Sequence, residues 1–490
     1  MTAMSEDKHT GRGVAWRVAL RDAMSAKERT AIPRVVMPQL DPAIRVTNNE
    51  EVNQGLTPEQ AVLEAARCLD CPTPTCMEGC PVSISIPDFI KNIQRGDVVE
   101  AAAVLKRTSA LPAVCGRVCP QEKQCESKCI YVKMKKEPVA IGYLERFAAD
   151  TVRLMSDAPR PARPKSNSLR VAVVGSGPSG LSFAGEMAQR GFEVDVFEAL
   201  HEIGGVLKYG IPEFRLPNSV VEAELDSLRD MGVRFHCDTV IGKTLSYSDL
   251  LEKGFRGLFV GSGAGLPRFM DIPGEDLSGV MSSNEYLTRI NLMCAGRPGS
   301  DTPVLRGRRV AVIGGGNTAM DSVRTARRMG AERAMIIYRR SEAEMPARVE
   351  EVHHAKEEGV EFLTLCNPVE YIGDERGRVC AVKVQRMELG EPDASGRRKP
   401  VAIPGAIDII DVDQVIVSVG VSPNPLVPSS IEGLEVTSKG TLVVDDSLQT
   451  SLPAIFAGGD IVRGGATVIL AMGDGRRAAA AMAERLIADA

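Results

Sequence analysis

The chain has 490 residues, 44% hydrophobic and 25% charged, which is too long for one hydrophobic core and too apolar for disorder, so roughly three domains are expected. Lys and Arg number 59 against 64 Asp and Glu, for a formal charge of -5, and no basic run offers a track for a phosphate backbone, which argues against nucleic acid as a partner. No apolar run approaches bilayer length, and MTAMSEDKHTGRGVAWRVAL at the N-terminus lacks the apolar core and cleavage site of a signal peptide, so a cytoplasmic chain without a membrane partner is expected.

In LTPEQAVLEAARC, Thr57 can cap a helix, Pro58 suits its first position and Gln60 closes a capping box, so a helix delivers Cys68. CLDCPTPTCMEGCP follows, then VCGRVCPQEKQCESKC, placing eight of twelve cysteines between positions 68 and 129, while Cys237, Cys294, Cys366 and Cys380 stand singly. In a reducing compartment such clustering favours metal over disulfide. Zinc sites use paired CxxC knuckles across a spacer, whereas Cys68, Cys71, Cys76 and Cys80 make CxxCxxxxCxxxCP, the bacterial ferredoxin run with a widened middle gap. In that run the fourth cysteine serves the other cluster, so Cys68, Cys71 and Cys76 should share one cubane while Cys80 crosses to a second. By count alone, Cys115, Cys119, Cys125 and Cys129 could complete both.

SIPDFIKNIQRGDVVEAAAVLKRT reads as two short helices broken near Gly96, completing a small helical domain, and SDAPRPARPKSNS (156–168) reads as a semi-rigid linker. Beyond it, Val/Ile-rich strands alternate with helices, as in a parallel sheet covered on both faces. LRVAVVGSGPSGLSFAGEMAQRGFEVDVFEA runs strand, glycine turn, helix, strand. Gly175 would form the tight turn, Gly177 would admit a pyrophosphate, Gly180 would let helix and strand approach, and Glu198 would take a ribose hydroxyl. RRVAVIGGGNTAMDSVRTARRMGAERAMIIYRR repeats the design with Gly314, Gly316 and Ala319, but its second strand ends in Arg339 and Arg340 where the first has an acid. A guanidinium there pairs with a 2'-phosphate, which favours NADPH over NADH. His353 and His354 lack any companion at metal-binding spacing and read as a solvated helix face, and the single cysteines form no thioredoxin-reductase-like dithiol.

Near the C-terminus, AIFAGGDIVRGGATVILAMGDGRRAAAAMAERL places a strand before Gly458, Gly459 and Asp460, with a helix expected to open near Gly473 and Asp474. This pattern resembles the two-dinucleotide-binding flavoproteins, which implies that Asp460 binds the ribitol of FAD and that the following helix points its N-terminus at the flavin. GLFVGSGA and DQVIVSVG would then be strands connecting an FAD domain to an inserted NADPH domain. With RCLDC, CGRVCPQE, IGYLERFAAD, GIPEFRLP and GGGNTAMD added, nearly the whole chain resembles the small (beta) subunits of bacterial NADPH-dependent glutamate synthase.

The resemblance implies an α/β fold of tandem Rossmann-like FAD and NAD(P)H domains behind a small helical domain holding two 4Fe-4S clusters. The divisions would be 1–165 (iron-sulfur), 166–295 and 421–490 (FAD), and 296–420 (NADPH). It implies that Cys129 completes the first cluster and that Cys80, Cys119, Cys125 and Glu145 hold the second, leaving Cys115 a buried thiol; the all-cysteine set is the alternative. Gly205, Asn317 and Thr467 join the cofactor-binding positions. It also implies oxidation of NADPH by FAD and electron relay to a large (alpha) subunit with glutaminase and FMN sites, which makes L-glutamate from 2-oxoglutarate and glutamine. Electron-input subunits of transhydrogenases and pyrimidine reductases are similar over the same span.

Overall fold

The computed structural model describes residues 11–394 and 396–489; part of the N-terminal stretch inspected for a targeting signal lies outside them. Among the described residues ten α-helices precede the linker, and the one that leads into Cys68 is Pro58–Arg67. Thr57 caps it as expected: its side chain accepts from the Gln60 amide while the Gln60 side chain accepts from the Thr57 amide. The pair Ile86–Gln94 and Val98–Lys106 breaks at Gly96, which takes a left-handed backbone. No helix among the described residues is long and apolar enough to cross a membrane.

Two five-stranded parallel sheets follow. The first runs Ile455–Ala457, Phe255–Val260, Arg170–Val174, Glu193–Phe197, Arg234–His236, and the second Val280–Ser282, Gln414–Val417, Arg309–Ile313, Arg333–Tyr338, Glu361–Thr364. Each glycine turn thus leaves a central strand at the point where strand order reverses, the usual seat of a dinucleotide. GLFVGSGA and DQVIVSVG supply inner strands of these sheets, and the crossing between them is made instead by Leu266–Pro267 paired antiparallel with Val421–Ser422. The second sheet takes up the chain at Val280, upstream of the expected 296, through a strand of three residues too short to read from periodicity. A three-stranded antiparallel meander, Cys366–Gly373, Val379–Pro392 and Arg398–Asp411, is inserted before the last strand of this unit.

The cores show which units are packed as one. One hydrophobic cluster runs without a break from Phe89, Leu105, Val114 and Leu144 of the helical domain to Phe183, Leu225, Met472 and Met482 of the first nucleotide unit. The second unit buries its own residues, among them Val312, Met320 and Ile336. It meets the others across a charged seam. There Glu358, fully buried, accepts from Arg45 (2.9 Å), Arg324 (2.8 and 3.1 Å) and Arg328 (2.8 and 3.2 Å). Both Arg324 and Arg328 also lie over the ring of Phe214, 4.7 and 3.8 Å from its centroid. Burial would raise the Glu358 carboxyl, but the guanidinium groups outweigh it and hold the pKa down at about 2.

Deleting this carboxylate leaves three buried cations without their shared counter-ion, a change that costs about 3–5 kcal/mol. Glu358→Ala is therefore expected to lower the melting temperature by several degrees and to expose the seam to limited proteolysis. A surface control such as Glu332→Ala should do neither.

Candidate functional site

Gly175 has φ +93°, and a Cβ there would stand 2.6 Å from the Gly261 carbonyl, so the turn admits only glycine. Gly177 opens the helix Pro178–Gln189, and a Cβ at that position would meet no heavy atom within 4 Å, leaving room for a phosphate against the helix N-terminus. Gly205 packs across this turn, where a Cβ would come 2.9 Å from Gly177 Cα. Glu198 accepts from the amide and hydroxyl of Ser176 and from the Leu200 amide, while Ser176 Oγ accepts from Gly204. A carboxylate offers about four lone-pair sites, so one remains for a ribose hydroxyl. Ser176 carried no sequence signal beyond its place inside the fingerprint.

Asp460 faces the same crevice, accepting from the Ala466 amide at 3.0 Å. Burial, and then the charge of Asp474, push its pKa up to about 6. Burial, and then the charges of Asp460 and Glu198, raise the Tyr209 hydroxyl to about 12. The C-terminal helix is Val468–Ala488, one turn earlier than expected, because Thr467 caps it by accepting from the Leu470 amide. Gly473 and Asp474 therefore lie in its second turn. Asp474 does not face the crevice as an open helix end: it accepts from the Gly459 amide and pairs with Arg463 and Arg477.

That second turn abuts the cysteine domain. A Cβ on Gly473 would stand 2.9 Å from the carbonyl of Pro81, the neighbour of Cys80, and the Cys115 thiol lies 3.5 Å from Met472 Sδ. Cys68, Cys71, Cys76 and Cys129 line one cavity with Ile86, Ile90 and Tyr131. The thiols of Cys71 and Cys76 are raised first by burial and then by the other cysteines of this group, Cys71 to about 11. Cys80, Cys119 and Cys125 form a second group around Glu145. Glu145 is 6% exposed, Oε1 has no hydrogen-bond partner, and burial followed by Glu224 drives its pKa up to about 8. A buried orphan carboxylate ringed by thiols, and a cysteine-lined cavity beside it, suit iron-sulfur centres, whose ligands are thiolates. Among the described residues no three donors converge on a single-ion point; a cubane spreads its ligands over four separate irons.

In the second unit, Gly314 has φ +143° and Gly316 opens the helix Asn317–Arg328, with only Pro346 Cγ near its Cβ direction, at 4.0 Å. Ala319 is fully buried beneath the turn. Asn317 Oδ1 accepts from the Arg348 amide at 2.9 Å. Arg339 is exposed at the strand end, but Arg340 is not available as expected: it pairs with Asp393 (2.6 Å) and donates to the Arg398 carbonyl. His354 also departs from expectation. It is 1% exposed and packed in the charged seam with Glu351, and burial lowers its pKa to about 4, whereas His353 is solvated.

Comparison with known proteins places these features. Residues 45–156 match the model for dihydropyrimidine dehydrogenase domain II, 4Fe-4S cluster, and residues 169–475 match the pyridine nucleotide-disulphide oxidoreductase model. The chain is 38% identical over 450 residues to the glutamate synthase [NADPH] small chain of Halomonas elongata, covering 90% of this chain and 94% of that one. It is 37% identical to the NADP(+)-dependent formate dehydrogenase subunit beta of Moorella thermoacetica over 84% of this chain and 60% of that one. The fold is shared with Mycobacterium tuberculosis FprA in complex with NADPH, at TM-score 0.55 and 21% identity, covering 65% of this chain and 85% of that one. The protein is an NADPH-dependent oxidoreductase whose cofactors are FAD, NADPH and 4Fe-4S clusters. It belongs to the glutamate synthase [NADPH] small-chain family.

Proposed function

We propose that the chain takes reducing equivalents from NADPH in its second nucleotide unit to FAD in the first. It then delivers them through the Cys80 group and the Cys68 group to a large subunit carrying glutaminase and FMN sites, which makes L-glutamate from 2-oxoglutarate and glutamine. Bound FAD supplies hydride acceptance and one-electron release, and the clusters supply single-electron relay. The protein's part is positioning. Gly175, Gly177, Gly180 and Gly205 shape the phosphate cradle, Glu198 and Asp460 take the sugar hydroxyls of FAD, and Thr467 caps the helix whose first turn faces the flavin. In the second unit Gly314, Gly316, Asn317 and Ala319 shape the matching cradle. Cys68, Cys71, Cys76 and Cys129 hold one cluster; Cys80, Cys119, Cys125 and Glu145 hold the other. A reducing cytoplasm keeps these thiols available for iron.

The observation that carries this reading is the shared core of the cysteine domain and the FAD unit, pinned where Met472 and Gly473 touch Cys115 and Pro81. It fixes the flavin-bearing helix against the second cysteine group as one body. Anaerobic titration of the purified protein with NADPH tests it: flavin bleaching should be followed by signals of reduced clusters, and addition of a glutamate synthase large subunit should yield glutamate. Bleached flavin with silent clusters would refute the relay. Reduced clusters without glutamate would refute only the partner, leaving an input subunit of the kind the formate dehydrogenase relative represents.

Cofactor choice gives a second test. Arg339 is the exposed cation at the strand end and Arg340 is held by Asp393, so Arg339 carries the 2'-phosphate contact. Arg339→Ala should raise KM for NADPH about tenfold or more, the range of one lost charge-assisted bond of about 1.5–3 kcal/mol, and leave KM for NADH nearly unchanged. Equal effects on both would remove Arg339 from that role.

A further inference from the structure

One loop of the NADPH unit is inserted against the turn that carries the second cysteine group. Lys123 Nζ donates to the carbonyls of Pro346 (2.9 Å) and Ala347 (3.3 Å), and the Val349 amide donates to Glu122 Oε1 (3.3 Å). At the centre of this contact Arg348 is 4% exposed. Its guanidinium donates to the Arg117 carbonyl (2.5 Å), to Gln121 Oε1 (3.0 Å) and to Glu350 Oε2 (2.8 Å). Gln121 continues inward, donating to the carbonyls of Cys115 (3.4 Å) and Gly116 (3.3 Å). Arg117, whose carbonyl accepts from Arg348, stands two residues before Cys119, so the guanidinium is held against the segment that carries this thiol. On its other side, the Arg348 amide is held by Asn317 at the mouth of the nucleotide turn.

We propose that Arg348 is a positioning residue that sets the redox poise of the cluster held by Cys80, Cys119 and Cys125 from the neighbouring domain. A guanidinium stays charged at any working pH. Reduction adds one negative charge to a cluster, and a fixed cation in a dry site stabilises the reduced form, because net charge and nearby donors are among the levers on cluster potential. A mere tether would need only donors to the Arg117 carbonyl and to Gln121, which a neutral side chain can supply. The burial of a full charge here, with Glu350 at 2.8 Å and Glu122 at 3.9 Å as its ion-pair partners, is what a tether does not require. The inference rests on the reading above that Cys119 is a cluster ligand.

The test is a reductive titration of the purified holoprotein, with each cluster followed by electron paramagnetic resonance. Arg348→Gln should make reduction of one cluster about tenfold less favourable, a fall of about 59 mV for one electron, and leave the other cluster in place. Arg348→Lys should restore most of that midpoint. Glu350→Gln, which removes the carboxylate paired with Arg348, should move the same midpoint upward. Unchanged midpoints in Arg348→Gln, with a raised KM for NADPH, would make Arg348 a tether and overturn the proposal. Should Arg348→Gln not retain its clusters, an unmoved or lowered midpoint in Glu350→Gln overturns it equally. Absence of a second cluster signal from the unaltered protein would instead sink the ligand reading on which the inference rests.

Discussion

Gly180→Ala is expected to give a folded protein that has lost most of its FAD. A Cβ at this position would stand 2.0 Å from the Gly175 carbonyl and 3.2 Å from Val173 Cγ1. The first obstacle is backbone, so relief requires the helix Pro178–Gln189 to withdraw or the turn to open. The turn has no slack, since a Cβ on Gly175 would stand 2.6 Å from the Gly261 carbonyl and one on Gly205 would stand 2.9 Å from Gly177 Cα. Overpacking of this kind costs about 1–3 kcal/mol, and here it falls on the loop proposed to receive the diphosphate, so FAD affinity should fall by about ten- to a hundred-fold. The second unit is the internal control. It carries Ala319 at the matching place, fully buried, and so already accommodates the methyl group. Ala319→Gly should therefore keep NADPH binding while Gly180→Ala loses FAD, read as the ratio of flavin to protein absorbance and by titration of the apoprotein with FAD. Near-stoichiometric flavin in Gly180→Ala would show that the first turn yields more than its packing allows.

The contrast between the two turns also shows what the sequence could and could not disclose. Both glycine fingerprints, the Thr57 capping box and the break at Gly96 are local devices, each needing only residues a few positions apart, and each was legible. The start of the last helix was not. Gly473 and Gly475 look like breakers, yet they sit inside the helix because a Cβ on either would strike a carbonyl of another element, Pro81 at 2.9 Å and Ser179 at 2.1 Å. Arg340 and His354 were misread for a related reason. The partner of Arg340 is Asp393, in the meander. The burial of His354 comes from a seam assembled from Arg45, Arg215, Arg324 and Glu351, drawn from three parts of the chain. Hydrophobic periodicity announces that a helix has an apolar face but not which domain covers it, so the single core joining the cysteine domain to the FAD unit was also invisible.

The ligand set of the second cluster has its own expected result: Glu145→Ala should lose one of the two clusters, while Cys115→Ser keeps both. The helix Ile141–Leu154 lies hard against Pro112–Val118, with Gly116 so placed that a Cβ would meet the Arg146 backbone at 2.6 Å, and this fixes Glu145 opposite the Cys115–Cys119 turn. Among the described residues no cation pairs with the Glu145 carboxylate; the charge of Glu224, of the same sign, adds to burial in raising it, and Oε1 is unpartnered. Holding a carboxylate ionised in such a place costs several kcal/mol unless something positive is bound, and the ferrous and ferric irons of a cubane are what the surrounding thiols would bring. Cys115 has other company, its thiol lying 3.5 Å from Met472 Sδ of the C-terminal helix. Iron and acid-labile sulfide should thus fall by about half in Glu145→Ala, where a carboxylate ligand is removed outright. Glu145→Gln, which keeps an oxygen donor, should retain the cluster at reduced occupancy. The reverse pattern, a cluster lost in Cys115→Ser and kept in Glu145→Ala, would hand the fourth ligand to Cys115 and leave Glu145 a buried acid that simply stays protonated.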